Sequence, residues 1–147
     1  MTELSAGVTR TKESYESAVW NILGQTYTLK EFSEASMSWH ALLPPGSFVP
    51  PHIHPTQDEF IYMIEGKLDL ELEGKQDSAG PGDLIRLPMN KAHGLFNHSA
   101  APVRCLFWVS PARKLRALFE KLHNLTDPAE VVRISAQHEV NFLPPKS

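Results

Sequence analysis

Cysteine is nearly absent from this sequence. Among 147 residues Cys105 stands alone, so no intramolecular disulfide can form and a disulfide-stabilised fold is excluded. Cys105 lies in the middle of an apolar run, residues 103–109, where we expect an unreactive strand residue. A lone cysteine suits a reducing compartment, and we predict a cytoplasmic protein.

The chain also lacks a basic excess, a long apolar run and an export signal. It carries 14 basic and 17 acidic residues, for a formal net charge of -3, which provides no general attraction to nucleic acid. No stretch approaches the length of a membrane span, and no charged region followed by an apolar run stands at the amino terminus. We therefore expect a small-molecule partner, no nucleic acid and no membrane.

The hydrophobic residues that are present come in short, interrupted runs. They make up 41% of the chain, which is enough for the core of one domain. Leu68, Leu70 and Leu72 alternate with acidic residues, the pattern of a half-buried strand. About eight such segments, separated by glycine and proline turns, indicate an all-β sandwich or barrel. The predicted strands cover residues 18–23, 26–31, 37–43, 59–65, 68–72, 83–87, 92–97 and 103–109.

The pattern changes after the last predicted strand. Ser110 followed by Pro111 is typical of a helix start, and four apolar residues then follow at helical spacing. These four are Leu115, Leu118, Phe119 and Leu122. Asp127 and Pro128 repeat the start signal and predict a second short helix that ends near His138.

These patterns divide the chain into three segments. Residues 1–14 are polar and are predicted to be a loose N-terminal segment, and residues 15–110 are predicted to form the barrel. Residues 111–147 are predicted to form the C-terminal helices and an extended tail that pack on the barrel.

Four side chains in two turn-bounded stretches are the most informative feature. They are His52, His54, Glu59 and His93. On a strand, residues two apart point to the same side, so His52 and His54 can bind one ion together. Two prolines directly before His52 favour an extended backbone. The turn-like residues 55–58 then return the chain so that Glu59 opens the next strand.

Three imidazoles and one carboxylate suit a divalent transition metal, which could be Fe, Mn, Ni, Co, Cu or Zn. Four protein ligands leave one or two positions open on a five- or six-coordinate ion for water, substrate or dioxygen. We expect one ion per chain. We also assign Glu59 a catalytic role, because a carboxylate at the metal can take a proton from a bound hydroxyl group.

Other residues near the four candidate ligands are assigned to a substrate-binding floor, to the solvated surface, to helix caps or to the core. Ile61 and Met63 share a strand face with Glu59, so we expect an apolar floor that binds the substrate. Arg86 and Arg104 are expected on solvated strand faces. The other histidines are interpreted as surface or capping residues: His40, His98, His123 and His138. The aromatic residues on predicted strands are interpreted as core: Trp20, Trp39, Phe60, Phe107 and Trp108.

Together the two stretches, residues 46–66 and 82–97, resemble the paired signature motifs of the cupin superfamily. Each has glycines at its turns, and the second has proline ahead of its histidine. Asn90 stands where the family usually has glycine, and we expect the turn to form because asparagine tolerates positive φ. Within the superfamily, residues 20–122 are most similar to single-domain quercetin dioxygenase-like cupins.

The resemblance implies an all-β fold, the cupin double-stranded β-helix or jelly-roll barrel, with one or two short C-terminal helices. It also implies that His52, His54, Glu59 and His93 bind the metal. The implied activity is that of a dioxygenase for an aromatic or enolisable small molecule, with Glu59 as base.

Two other classes of function stay open. A non-oxidative cupin enzyme, polyketide-cyclase-like or isomerase-like, would use the metal as a Lewis acid and consume no oxygen. A small-molecule binding module would hold its ligand without turnover. For assembly, the exposed edges of a small jelly roll and an apolar helix face lead us to expect a homodimer.

Overall fold

The computed structural model describes residues 3–144 of the chain. Its strands are β1 (Val19–Ile22), β2 (Gln25–Phe32), β3 (Met37–Leu43), β4 (Phe48–Ile53), β5 (Asp58–Glu65), β6 (Leu68–Leu72), β7 (Lys75–Ala79), β8 (Leu84–Leu87), β9 (His93–Phe96), β10 (Val103–Ser110) and β11 (Asn141–Phe142). Its α-helices are α1 (Leu115–Leu122) and α2 (Pro128–Ala136). Residues 1–2 of the predicted loose segment and residues 145–147 of the predicted tail lie outside the described residues.

Two antiparallel sheets form the body of the protein. One has six strands in the order β1-β2-β3-β10-β5-β8, and the other has five in the order β11-β4-β9-β6-β7. Inward-facing side chains from both sheets, such as Trp39 and Leu95, belong to one buried cluster. The predicted all-β jelly-roll fold is therefore confirmed.

The six-stranded sheet follows the alternation of the sequence closely. In β3 every second residue from Met37 to Leu43 is buried, and β10 pairs with both β3 and β5 at the centre of the sheet. Cys105 is buried there, and burial raises the pKa of its thiol to about 12. The thiol is thus protonated at neutral pH.

The five-stranded sheet is less regular where it carries the histidine pair. Its strand β4 contains Pro50 and Pro51, and its pairing with β9 shifts register between Val49 and His52. At the same place Gly94 lies so close to β4 that an added Cβ would be 3.1 Å from the backbone nitrogen of Pro51. The lack of a side chain at Gly94 therefore allows the proline-bent strand to approach β9.

Strand β7 was not predicted. It consists of polar, exposed residues apart from Ala79, so no alternation of apolar residues indicates a strand there. Its formation depends on the tight turn at Glu73 and Gly74, where φ is 50° and 82°, because successive positive φ angles suit a two-residue hairpin. The positive φ of 65° at Asn90 agrees with the turn expected there.

The prediction that Ser110 caps the first helix is wrong. β10 continues through Ser110, which pairs with Asp58, and the Ser110 hydroxyl donates to the carbonyl of Ala35. Helix α1 instead begins at Leu115, preceded by Lys114. Its predicted buried face is confirmed, since the buried residues are Leu115, Leu118, Phe119 and Leu122.

The start of the second helix is as predicted. The Asp127 carboxylate accepts a hydrogen bond from the backbone N–H of Ala129, and Pro128 is the first helical residue. The helix ends at Ala136, two residues before His138. Neither described helix is long and apolar enough to cross a membrane.

Candidate metal centre

Both sheets contribute to a cluster of four buried side chains. His52 lies on β4 directly opposite His93 on β9, and His54 follows one residue after β4 ends. Glu59 comes from β5 in the other sheet. The sequence spacing predicts this convergence, and the structure brings all four side chains together.

The distances within the cluster suit a single metal ion. The four potential ligand atoms lie within 4.8 Å of one another. The carboxylate oxygens of Glu59 lie 3.2 Å from Nε2 of His93 and 3.6 Å from Nε2 of His54. Ligands bound at about 2.1 Å to one ion are roughly 3.0 to 4.2 Å apart, so both measured distances fall in that range.

Hydrogen bonds orient two of the three imidazoles. Nδ1 of His52 donates to the carbonyl of Pro50 at 2.9 Å, and Nδ1 of His54 donates to Oε1 of Gln57 at 2.7 Å. The Gln57 amide is itself fixed, because its Nε2 donates to the carbonyls of Pro111 and Ala112. A proton held on Nδ1 leaves Nε2 free as a ligand in both rings.

The third imidazole is oriented by packing. Nδ1 of His93 has no hydrogen-bond partner among the described residues. Its ring is nearly parallel to that of His54, with centroids 5.5 Å apart, and lies edge-on to that of His52 at 4.3 Å. The turn before it is tied to the histidine pair, because the backbone N–H of Asn90 donates to the carbonyl of His54.

The electrostatics of the cluster favour a bound cation. Burial lowers the pKa of His52 to about 3 and also lowers that of His54, so both imidazoles are neutral and can ligate at neutral pH. Burial alone would raise the pKa of Glu59, but the nearby imidazoles of His54 and His93 hold it at about 2. The buried carboxylate is therefore ionised, and an uncompensated buried charge is costly.

An apolar cavity adjoins the cluster, and we call it the aromatic cavity. Its volume is about 80 Å³. His52, His54 and Glu59 form one part of its wall. Other parts of the wall are aromatic: Tyr27, Trp39, Phe48, Phe107, Phe119 and Phe142.

The C-terminal elements α1, α2 and β11, together the C-terminal cap, close this cavity. Each element contributes lining residues. β11 pairs with β4, so that Phe142 lies opposite His52 with ring centroids 5.3 Å apart. The hydroxyl of Thr56 also donates to the carboxylate of Glu139. Residues 141–142 of the predicted tail therefore form a strand that lies directly against a histidine of the cluster.

The outcome for the remaining predicted residues is mixed. Ile61 and Met63 are fully buried on the same strand face as Glu59, but they are not among the residues that line the aromatic cavity. Their contact with a substrate stays a prediction. Arg86 and Arg104 are exposed, as expected, and Arg104 pairs with Glu65.

The other histidines lie outside the cluster. His98 is exposed and pairs with Asp69, His123 accepts from the backbone N–H of Asn21, and His138 contacts the carbonyl of Ile134 at the end of α2.

Sequence reasoning missed two neighbours of the cluster. Gln57 was interpreted only as part of a turn, although its position three residues after His54 is the available signal for a side-chain contact. Trp39 was interpreted as core, and it is buried, but it also lines the aromatic cavity. Which sheet aromatics line the cavity depends on the placement of the C-terminal cap, and strand periodicity does not contain that information.

Residues 39–109 match the model of the cupin domain family, Cupin_2. The protein has the cupin fold. Among solved structures, KdgF from Halomonas sp. superposes with a TM-score of 0.68 at 20% identity, covering 76% of this chain and 99% of that one. The domain match and this likeness agree with the predicted cupin superfamily at the level of the fold, while a closer relation to quercetin dioxygenase-like cupins stays a prediction.

Two curated Streptomyces proteins are similar in sequence to this chain. Polyketide synthase CurC of Streptomyces cyaneus is 30% identical over 71 residues, 48% of this chain and 46% of that protein. Tetracenomycin polyketide synthase protein TcmJ of Streptomyces glaucescens is 31% identical over 72 residues, 49% of this chain and 48% of that protein. The chain thus spans about half the length of the curated relatives it matches.

Proposed function

We propose that this cupin is a metal-dependent enzyme for an enolisable polyketide-type or aromatic substrate. The observation that carries the proposal is a cluster of three imidazoles and one carboxylate beside an otherwise apolar, aromatic cavity, with His52, His54 and Glu59 of that cluster in the cavity wall. His52, His54, Glu59 and His93 would hold the ion. A bound divalent ion would act there as a Lewis acid that stabilises an oxyanion of the substrate.

Glu59 is the proposed proton acceptor. Its carboxyl is ionised at neutral pH, because the nearby imidazoles hold its pKa below the ordinary value, so it is ready to accept a proton. A bound divalent ion would make the protons of a coordinated enolisable group or phenol more acidic, and proton transfer to the carboxylate would then be easier. This arrangement favours enolisable substrates.

The walls of the aromatic cavity support the same substrate class. Aromatic side chains bind flat rings through stacked and edge-to-face contacts, and the apolar lining excludes water from the carboxylate. The cavity of about 80 Å³ is smaller than an engineered cavity of roughly 150 Å³ that accepts benzene. We therefore infer that the C-terminal cap moves when a ring-bearing substrate enters.

Of the two enzyme classes, we favour the non-oxidative one. The names of both similar Streptomyces proteins refer to polyketide synthases, and polyketide chains are rich in enolisable carbonyl groups. The dioxygenase alternative is supported by the ligand set, since one or two open positions on the ion would admit dioxygen beside the substrate.

The Glu59→Gln variant tests the proposal, with Glu65→Gln as matched control. Glu65 lies on the same strand but is exposed. Conversion of a panel of β-polyketones, flavonols and catechols should fall by about two to four orders of magnitude in Glu59→Gln and remain unchanged in the control. Metal content is measured on the same samples, because metal loss would mimic loss of the base.

Oxygen dependence separates the two enzyme classes. The non-oxidative enzyme should convert its substrate equally fast with and without air. Conversion that stops without air and is accompanied by oxygen uptake would establish the dioxygenase. If the protein loaded with Fe, Mn, Ni, Co, Cu or Zn converts no compound of the panel, both enzyme classes are contradicted and the binding module remains.

A further inference from the structure

Two residues of the cavity wall each carry a buried polar atom that lacks a hydrogen-bond partner. Among the described residues, the buried side-chain atoms without a hydrogen bond are Nε1 of Trp39, Oγ of Ser135 and the two ring nitrogens of His93. His93 belongs to the candidate metal centre. Trp39 and Ser135 do not, yet both line the aromatic cavity, together with His52 and Glu59.

Other polar groups in the same wall are satisfied. The Tyr27 hydroxyl donates to Oε1 of Gln25 at 2.6 Å, and Nε2 of Gln25 donates to the carbonyl of Phe48 at 3.2 Å. A buried donor left without an acceptor costs about 1 to 3 kcal/mol, and native proteins contain few of them. The contrast points to a role for the two unpaired atoms beyond packing.

The surroundings of Trp39 are aromatic. Its ring is stacked on Phe107, with centroids 5.2 Å apart, and lies edge-to-face with Phe119 at 5.1 Å. The indole N–H has no oxygen acceptor, and a contact with a ring face is a weaker substitute for one. Ser135 is on α2, in the C-terminal cap, so the two residues with unpaired atoms come from different elements of the cavity wall.

We infer that Trp39 determines substrate specificity by donating a hydrogen bond to a second oxygen of the substrate, distinct from the oxygen bound at the histidine–glutamate cluster. The inference rests on the proposed function. It narrows the substrate to a ring compound that carries an enolisable group and a further acceptor oxygen. Ser135 offers a second contact to the same compound from the cap side.

The test uses 1-phenylbutane-1,3-dione, a chelating β-diketone, and its 2-, 3- and 4-methoxyphenyl derivatives. The methoxy oxygen accepts hydrogen bonds and does not donate them. Dissociation constants are measured by calorimetry on zinc-loaded protein of known metal content, since zinc supports no redox turnover. At least one methoxy derivative should bind wild type about 3- to 10-fold more tightly than the parent compound, the effect of one hydrogen bond.

The decisive variant is Trp39→Phe, which keeps an aromatic ring and removes the N–H. Because Trp39 also lines the cavity, the affinity for the parent compound is measured in each variant, and the readout is the ratio of the two affinities, which should fall to about one in Trp39→Phe. Trp20→Phe is the matched control, because Trp20 is buried in the same sheet and is not among the cavity-lining residues. That control should retain the preference, and Ser135→Ala should reduce it.

Nuclear magnetic resonance gives a readout independent of the variant's stability. The indole ¹⁵N–H signal of Trp39 in wild type should move downfield with the preferred methoxy derivative and remain in place with the parent compound. A wild type without any methoxy preference, or a Trp39→Phe variant that retains it, would overturn the inference and leave the proposed function intact. Failure of wild type to bind any of the diketones would instead overturn the proposed function, and the inference with it.

Discussion

The two sheets of this protein contribute to the candidate metal centre in different ways. The six-stranded sheet supplies Glu59 and three aromatic residues of the cavity wall, Tyr27, Trp39 and Phe107. The five-stranded sheet contains Pro50 and Pro51 at a shift of register and supplies His52 and His93 as a cross-strand pair. One sheet thus contributes the carboxylate and part of the aromatic wall, whereas the other contributes two of the imidazoles.

The inward-facing residues of the two sheets have different roles: those of the six-stranded sheet pack in the core, and the histidines of the five-stranded sheet can bind an ion. In the six-stranded sheet, inward residues such as Met37 and Leu43 are completely buried and apolar, so the sheet would be stable without an ion. In the five-stranded sheet the inward positions beside the cavity are His52 and His93, and the ring nitrogens of His93 have no hydrogen-bond partner among the described residues. Gln57 joins the two regions, since it contacts His54 and the residues that follow β10.

Removing two histidines from the five-stranded side should have the largest effect. The double variant His54→Ala, His93→Ala should lose nearly all bound metal, from about one ion per chain, because two of four ligands are gone. Its circular dichroism spectrum should be close to that of wild type, because the apolar core does not include these residues. Elemental analysis measures the metal, with exposed His98→Ala as control, and equal metal in wild type and the double variant would contradict the proposed site.

Breaking the link between the sheets should have an intermediate effect. In Gln57→Leu, His54 loses the acceptor of its Nδ1 proton, so metal affinity should fall by about 10- to 100-fold, the usual cost of losing an outer partner of a ligand. Competition with a chelator measures the affinity. Gln76→Leu on the exposed strand β7 should bind metal as wild type does, and an unchanged affinity in Gln57→Leu would mean that packing alone orients His54.

Lowering the pH should gradually reduce the free energy of unfolding of the metal-free protein, the smallest of the three effects. The pKa of His52 lies at about 3 in the fold, below its ordinary value of 6.5, so the unfolded chain takes up a proton first as the pH falls. The contribution of neutral His52 to stability is therefore fully present above about pH 6.5. Below that pH the free energy of unfolding should decline by about 1.4 kcal/mol per pH unit for each histidine kept neutral. Urea unfolding between pH 7.5 and 5 measures this slope, which should be shallower in His52→Asn. An equal slope in that variant would show that burial of His52 is not the cause.

The success of sequence reasoning differed between strands for a physical reason. Alternation of leucines with acidic residues identified β6, because one face of the strand is buried against a core and the other is not. β7 has no such contrast, and Ser110 was assigned to a helix because cap residues also occur at the ends of strands. The four residues of the candidate metal centre were identified from spacing, since two-residue periodicity and turns determine which side chains can meet.

The sequence by itself determined the all-β fold class, the buried face of α1 and the convergence of His52, His54, Glu59 and His93, because each follows from local periodicity and turn chemistry. Tertiary structure alone decided what surrounds that cluster. Contacts such as Gln57 with Pro111 and Phe142 with His52 join residues 54 and 90 positions apart, and no local pattern encodes them. The closed aromatic cavity and the unpaired N–H of Trp39 likewise arise only when the C-terminal cap packs against both sheets.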